Sequence, residues 1–143
     1  MLSQVLEDEK KYLLPILAAR ISAGFPSPAD DYLEERINLN EYIVTHPSAT
    51  FYYWVEGNSM IEAGIFDGDL IVVDNSLKPK NNDVVLAVID GEITLKQIKI
   101  SEGKIFLAPK NPAYKPIIIT DCMNFMVRGV IVCNIHFHKK PNK

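Results

Sequence analysis

Val84-Val85-Leu86-Ala87-Val88-Ile89-Asp90-Gly91-Glu92-Ile93-Thr94-Leu95-Lys96-Gln97-Ile98-Lys99 decides the fold class. Two runs rich in β-branched residues flank Asp90-Gly91, a pair suited to the two-residue type I′ turn because both positions must accept positive φ. The stretch therefore predicts a hairpin of 84–89 against 92–99, with Ile89 opposite Glu92, Ala87 opposite Thr94 and Val85 opposite Lys96. Side chains two apart share a strand face. Lys96 then stands between Thr94 and Ile98, across from Val85, with little around it to solvate a charge. Desolvation disfavours the ammonium form and lowers the pKa, which is what a lysine needs to act as a base near neutral pH. A lysine on an ordinary solvated strand face is the competing reading of the same residues.

Outward from the hairpin the same texture continues. Further strands are expected at 51–55, 70–74, 104–108, 117–120 and 125–137, separated by Gly, Pro, Asn and Asp turns. The reading is a mainly β domain over 51–143. Before it the composition changes. Leu2 to Ile21 carry apolar residues at loose helical spacing, broken by Pro15, and are expected to form helical turns without a core of their own. Ser22, Gly24, Pro26, Ser27, Pro28, Asp30 and Asp31 form a breaker cluster of the kind exposed to proteolysis. This divides the chain into an arm, 1–23, a linker and extended segment, 24–50, and the β domain.

The 143 residues, 48% hydrophobic and 23% charged, suit one soluble domain with a tail. Fifteen Lys and Arg against 18 Asp and Glu give a net charge of −3, which leaves no cation excess for a row of phosphates, so direct DNA binding is not expected. No apolar run approaches the ~20 residues that span a bilayer. Lys10-Lys11, the apolar stretch to Ala19 and Ile21-Ser22-Ala23 loosely imitate a signal peptide, but Glu7, Asp8, Glu9, Pro15 and Arg20 spoil the pattern. Cys122 and Cys133 have apolar neighbours and read as buried thiols in a cytoplasmic protein.

A possible partner for Lys96 lies in Glu56-Gly57-Asn58-Ser59-Met60, where Gly57-Asn58 breaks the chain after a strand and places Ser59 at the start of a new element. Such a junction can expose a hydroxyl beside free backbone N–H groups, the requirements of a nucleophile and an oxyanion hole. Ser59 followed by Glu62 also fits a helix capping box. A Ser-His-Asp triad would need His46, His136 or His138, none of which is otherwise marked. Cys133, His136 and His138 invite a metal, but strand alternation sets Cys133 opposite both histidines, so no metal or other cofactor is expected. Phe51 and Tyr52-Tyr53-Trp54 read as strand packing.

Taken in order, Ala23-Gly24, Gly57-Asn58-Ser59-Met60, Gly64-Ile65-Phe66-Asp67-Gly68-Asp69, Thr94-Leu95-Lys96, Asn111-Pro112-Ala113-Tyr114 and Val127-Arg128-Gly129-Val130 resemble the LexA/UmuD family of self-cleaving serine peptidases. The resemblance covers nearly the whole chain and implies Ser59 as nucleophile, Lys96 as general base, and Ala23-Gly24 as the bond the protein cuts in itself. Backbone groups at Ser59 and Met60 would hold the oxyanion. With 23 residues before Gly24, no DNA-reading domain is expected there, which points to the short-armed members of the family. The resemblance further implies a homodimer, stimulation by a RecA filament on single-stranded DNA during the SOS response, and service after cleavage to a UmuC-like Y-family translesion polymerase. The segment from Gly24 to Ser59 could reach roughly 115 Å when extended at ~3.3 Å per residue, so reach permits cutting within or between subunits.

Overall fold

The computed structural model describes residues 1–17, 21, 23–25 and 33–141. The chain forms two compact units, Met1–Thr45 and His46–Lys143.

The first unit holds α1 (Leu2–Lys10), β1 (Leu13–Leu17), β2 (Leu33–Asn38) and α2 (Leu39–Ile43). The expected helical turns stop at Lys10, and Leu13–Leu17 instead pairs antiparallel with β2, Pro15 standing opposite Arg36. Proline is the reason: it lacks the N–H a helix needs and pushes Leu14 toward extended backbone, while a two-stranded ribbon has an open edge that tolerates it. At the start of α2 the Asn38 side chain accepts from the Asn40 N–H at 3.1 Å, a helix cap. Ala23, Gly24 and Phe25 form exposed bends. The other breakers expected around them, Ser22, Pro26, Ser27, Pro28, Asp30 and Asp31, lie outside the described residues. Within the expected linker 24–50 the chain builds β2 and α2, and the second unit begins at His46.

The second unit is a seven-stranded antiparallel sheet. Its strands are β3 (Thr50–Trp54), β4 (Leu70–Asp74), β5 (Val84–Ile89), β6 (Glu92–Ser101), β7 (Lys104–Ala108), β8 (Ile117–Ile118) and β9 (Phe125–Ile135), in the order β3-β4-β9-β5-β6-β7-β8. The hairpin has the register read from the sequence, Ile89 with Glu92, Ala87 with Thr94 and Val85 with Lys96, across a turn in which Asp90 and Gly91 both take positive φ. The mainly β fold class is thus the one observed. Strand ends differ by small amounts: β8, paired only to β7, is shorter than expected, and β9 stops at Ile135.

Both faces of β5 are covered. Leu86 packs with Met60, Ile65, Ile71 and Val73, whereas Val85 and Ala87 pack with Ile98, Leu107 and Val130. Burying a side chain of this size stabilises the fold by about 1.5–3 kcal/mol. Gly129 of β9 sits against the neighbouring strand β4, and a Cβ there would lie 2.4 Å from Val73 Cγ1 and 3.3 Å from the Asp74 carbonyl oxygen. Only glycine fits there without a shift of its neighbours.

Two expectations about side chains fail. Cys122 is exposed in the turn after β8, and only Cys133 is half-buried. Tyr52, Tyr53 and Trp54 are exposed, on both faces of β3, which is an edge strand. No helix among the described residues is long and apolar enough to cross a membrane.

Candidate active site

The turn after β3 carries Ser59, and contacts from the loop that follows it and from a loop distant in sequence hold it. On one side the Gly64–Asp69 loop bonds the chain leading out of β3: Val55 N–H donates to the Asp69 carbonyl and Gly68 N–H to the Val55 carbonyl, both at 2.8 Å. Gly57, at φ 92°, donates its N–H to Asp67 Oδ1 at 2.8 Å. On the other side Asn111 Nδ2 donates to the Asn58 carbonyl at 2.8 Å, and Lys110 N–H to the Ser59 carbonyl at 2.7 Å. Met60, 2% exposed, anchors the turn in the core. The short 3-10 turn at Ile61–Ala63 begins from Met60 with no side-chain cap, so the capping-box reading of Ser59 and Glu62 is not the arrangement adopted.

Strand β6 brings Lys96 to the same place. Its Nζ lies 3.2 Å from Ser59 Oγ, 2.8 Å from Thr94 Oγ1 and 3.0 Å from the Leu95 carbonyl oxygen. The side chain is only 9% exposed, and no carboxylate among the described residues pairs with it. Burial holds its pKa below the usual lysine value, since nothing nearby compensates the charge. The neighbours are nonetheless more polar than the alternation suggested: Thr94, two residues back on the same face, turns its hydroxyl to the amine. Thr94 is the site residue whose signal, the i−2 spacing from Lys96, was present in the sequence without being read that way.

A cleft of about 390 Å³ opens over the pair. Tyr53, Trp54, Ile93 and Tyr114 contribute to its walls, with Ser59 and Lys96 among the lining residues. The aromatic pair on β3 therefore borders the site, a placement that depends on which strand forms the sheet edge.

The histidines are engaged elsewhere. His46 Nδ1 lies 2.6 Å from Asp74 Oδ2 and His136 Nδ1 2.5 Å from Asp69 Oδ1, while the His138 ring packs edge-on against His136. Asp69 is fully buried, which alone would raise its pKa, but bonds from the Phe66 N–H, His136 and Asn134 outweigh burial and hold it below the ordinary carboxylate value. Asp74 is likewise held down, by Ser76 and His46. No cluster of three or more His, Cys, Asp or Glu among the described residues could hold a metal ion. Ala23 and Gly24 belong to the first unit, in the exposed bend already described.

Residues 15–132 match the profile of the family described as Peptidase S24-like. The chain belongs to that family. Ala23, Gly24, Ser59 and Lys96 of this S24-like protein all fall inside the matched span. It is 43% identical over 122 residues to Protein SamA of Salmonella typhimurium, covering 85% of this chain and 84% of SamA. With Protein MucA of Escherichia coli it shares 40% over 127 residues, 87% of this chain and 86% of MucA. A LexA repressor from Clostridium perfringens is 38% identical over 118 residues, which cover 82% of this chain and 58% of the repressor. Among S24-like proteins this is a UmuD-like member of the LexA/UmuD group.

Proposed function

We propose that this S24-like protein is a self-cleaving serine peptidase that cuts its own Ala23–Gly24 bond with a Ser59-Lys96 dyad. The observation that carries the reading is the 3.2 Å approach of Lys96 Nζ to Ser59 Oγ inside a cleft, with the lysine buried and without an anionic partner.

The chemistry follows from the three contacts of the amine. A neutral lysine keeps two N–H groups, which remain on Thr94 Oγ1 and the Leu95 carbonyl, and its lone pair is left to accept the Ser59 hydroxyl proton. Ser59 Oγ then attacks the Ala23 carbonyl carbon. Backbone N–H groups of Ser59 and Met60, which donate to no backbone carbonyl among the described residues, receive the oxyanion. Collapse of the tetrahedral intermediate breaks the C–N bond, and the Lys96 ammonium returns its proton to the Gly24 amine. Water, deprotonated by the same lysine, hydrolyses the Ala23 ester on Ser59 and regenerates the dyad. The small side chain of Ala23 and the absence of one at Gly24 let the substrate segment lie close to the backbone.

In its wider role the protein acts as a homodimer in the cytoplasm. A RecA filament on single-stranded DNA stimulates the cut during the SOS response, and the processed form serves as accessory subunit of a UmuC-like translesion polymerase. Support for this role is the likeness to SamA, MucA and LexA. The test is incubation of the purified protein, with and without RecA, ATP and single-stranded DNA, followed by intact mass measurement. A fragment beginning at Gly24, absent from Ser59→Ala and Lys96→Ala, is the expected product. Damage-induced mutagenesis in cells lacking the native protein, supported by a protein beginning at Gly24 but not by full-length Ser59→Ala, tests the polymerase role.

A further inference from the structure

The Asn111-Pro112-Ala113-Tyr114 segment lies far from Ser59 in sequence, and the dyad chemistry leaves it without a task. Its place in the fold gives it one. Asn111 Nδ2 donates to the Asn58 carbonyl at 2.8 Å while its own Oδ1 accepts from the Ala113 N–H at 3.0 Å. The two contacts use opposite ends of the carboxamide and so fix which end faces the Ser59 turn. In a trans peptide the C=O and the following N–H point in opposite directions across one plane. The Asn58 carbonyl also accepts from the Ile61 N–H, at the longer distance of 3.4 Å, and holding it toward Asn111 turns the Ser59 N–H away from it. The adjacent plane is held the same way, by the Lys110 N–H on the Ser59 carbonyl at 2.7 Å, which turns the Met60 N–H away from Lys110.

We propose that Asn111 is a positioning residue for catalysis, its carboxamide setting the Asn58–Ser59 peptide plane so that the Ser59 N–H is presented to the oxyanion. The proposal rests on the self-cleavage reading above and adds the group that keeps the hole formed before substrate arrives. Two further contacts make the clamp stiff: Glu62 N–H donates to the Lys110 carbonyl at 2.7 Å, and Asp67 holds the Gly57 N–H from the opposite loop. The sequence gives no local sign of this, because the clamp joins positions that only the fold makes neighbours.

The variant that reverses the contact is Asn111→Asp. It keeps the size and the acceptor for Ala113, but sets a carboxylate oxygen against the Asn58 carbonyl where a donor stood. A single oxyanion donor is worth about 10²–10³ in rate, so partial misorientation should lower the plateau rate of self-cleavage at alkaline pH by about ten- to a hundredfold. The added negative charge of Asn111→Asp beside the dyad should also raise the pH midpoint, so the neutral Asn111→Leu, which removes the donor without adding charge, should lower the plateau with the midpoint where it is in wild type. An unchanged plateau in both variants overturns the proposal. So does a midpoint in Asn111→Leu that moves together with the plateau, which would mean that the dyad or the fold had been disturbed instead.

A second readout does not depend on turnover. In the Ser59→Ala protein the residue-59 amide proton, facing the cleft, should exchange readily with water, and adding Asn111→Asp should shift its resonance and slow that exchange while strand amides of the core hold theirs. An unaltered residue-59 amide overturns the proposal. If the wild type yields no Gly24 fragment at any pH, the self-cleavage reading fails, and the amide experiment still decides whether Asn111 orients the turn.

Discussion

Replacing Lys96 with methionine should make the fold more resistant to denaturant at lower pH relative to wild type, and the advantage should shrink as pH rises. The sign follows from the burial of the amine. Its folded-state pKa lies below the unfolded value, so between the two the unfolded chain binds more protons and stability rises with pH. Below the folded pKa the wild-type protein carries the whole cost of a buried ammonium, and above about 10.4, where the lysine is neutral in both states, that cost is gone. Methionine has no such dependence. The difference curve between the two proteins should therefore climb with pH, with a limiting slope of about 1.4 kcal/mol per pH unit for one proton. A second contribution is constant: the methionine side chain leaves Thr94 Oγ1 and the Leu95 carbonyl without their donor, about 0.5–1.5 kcal/mol for each hydrogen bond lost, and this moves the curve vertically without changing its shape. Urea unfolding of Ser59→Ala and Ser59→Ala/Lys96→Met from pH 6 to 11 measures the curve with cleavage abolished in both. Parallel stability profiles would refute the reasoning, because they would mean that the amine titrates alike in the folded and unfolded chains.

Spontaneous cleavage should accelerate about tenfold per pH unit below the Lys96 pKa and then level off, and a fragment yield independent of pH between 7 and 10 contradicts a neutral lysine base. Gly129→Ala should destabilise the protein by about 1–3 kcal/mol in denaturant titration, because Val73, fully buried, has nowhere to move from a new methyl, and Val73→Ala in the same chain should recover part of the loss. Asp69→Asn should cost stability at neutral pH, and the deficit should narrow as pH falls from about 3.8 through the depressed folded pKa, since the wild-type carboxylate then protonates and gives up its advantage; thermal melts from pH 2 to 7 measure this.

The hairpin was readable because its information is local: Asp90-Gly91 sets the turn, the turn sets the register, and the register places Lys96 on the face of Val85 and Ile98. Ser59 was readable only as one of two possibilities, a cap or a nucleophile, and what separates them is a tertiary distance to Lys96. β1 is not legible in the sequence because helical spacing in Leu13–Leu17 and strand pairing use the same apolar residues, and Pro15 rejects a helix without saying what replaces it. Tyr53 and Trp54 have the composition of interior strand residues, and their position beside the cleft follows from strand order, which no window of sequence contains. The same holds for Asn111 against Asn58 and for His136 against Asp69, pairs joined across more than 50 residues.

The most direct test of the central claim is the intact mass of the full-length protein after incubation at alkaline pH, compared across wild type, Ser59→Ala, Lys96→Ala and the double variant. The dyad acting as one unit predicts a new N-terminus at Gly24 in wild type, none in either single variant, and a double variant no worse than the singles. A Gly24 fragment that persists in Ser59→Ala, or a wild-type cut at another bond, would contradict it.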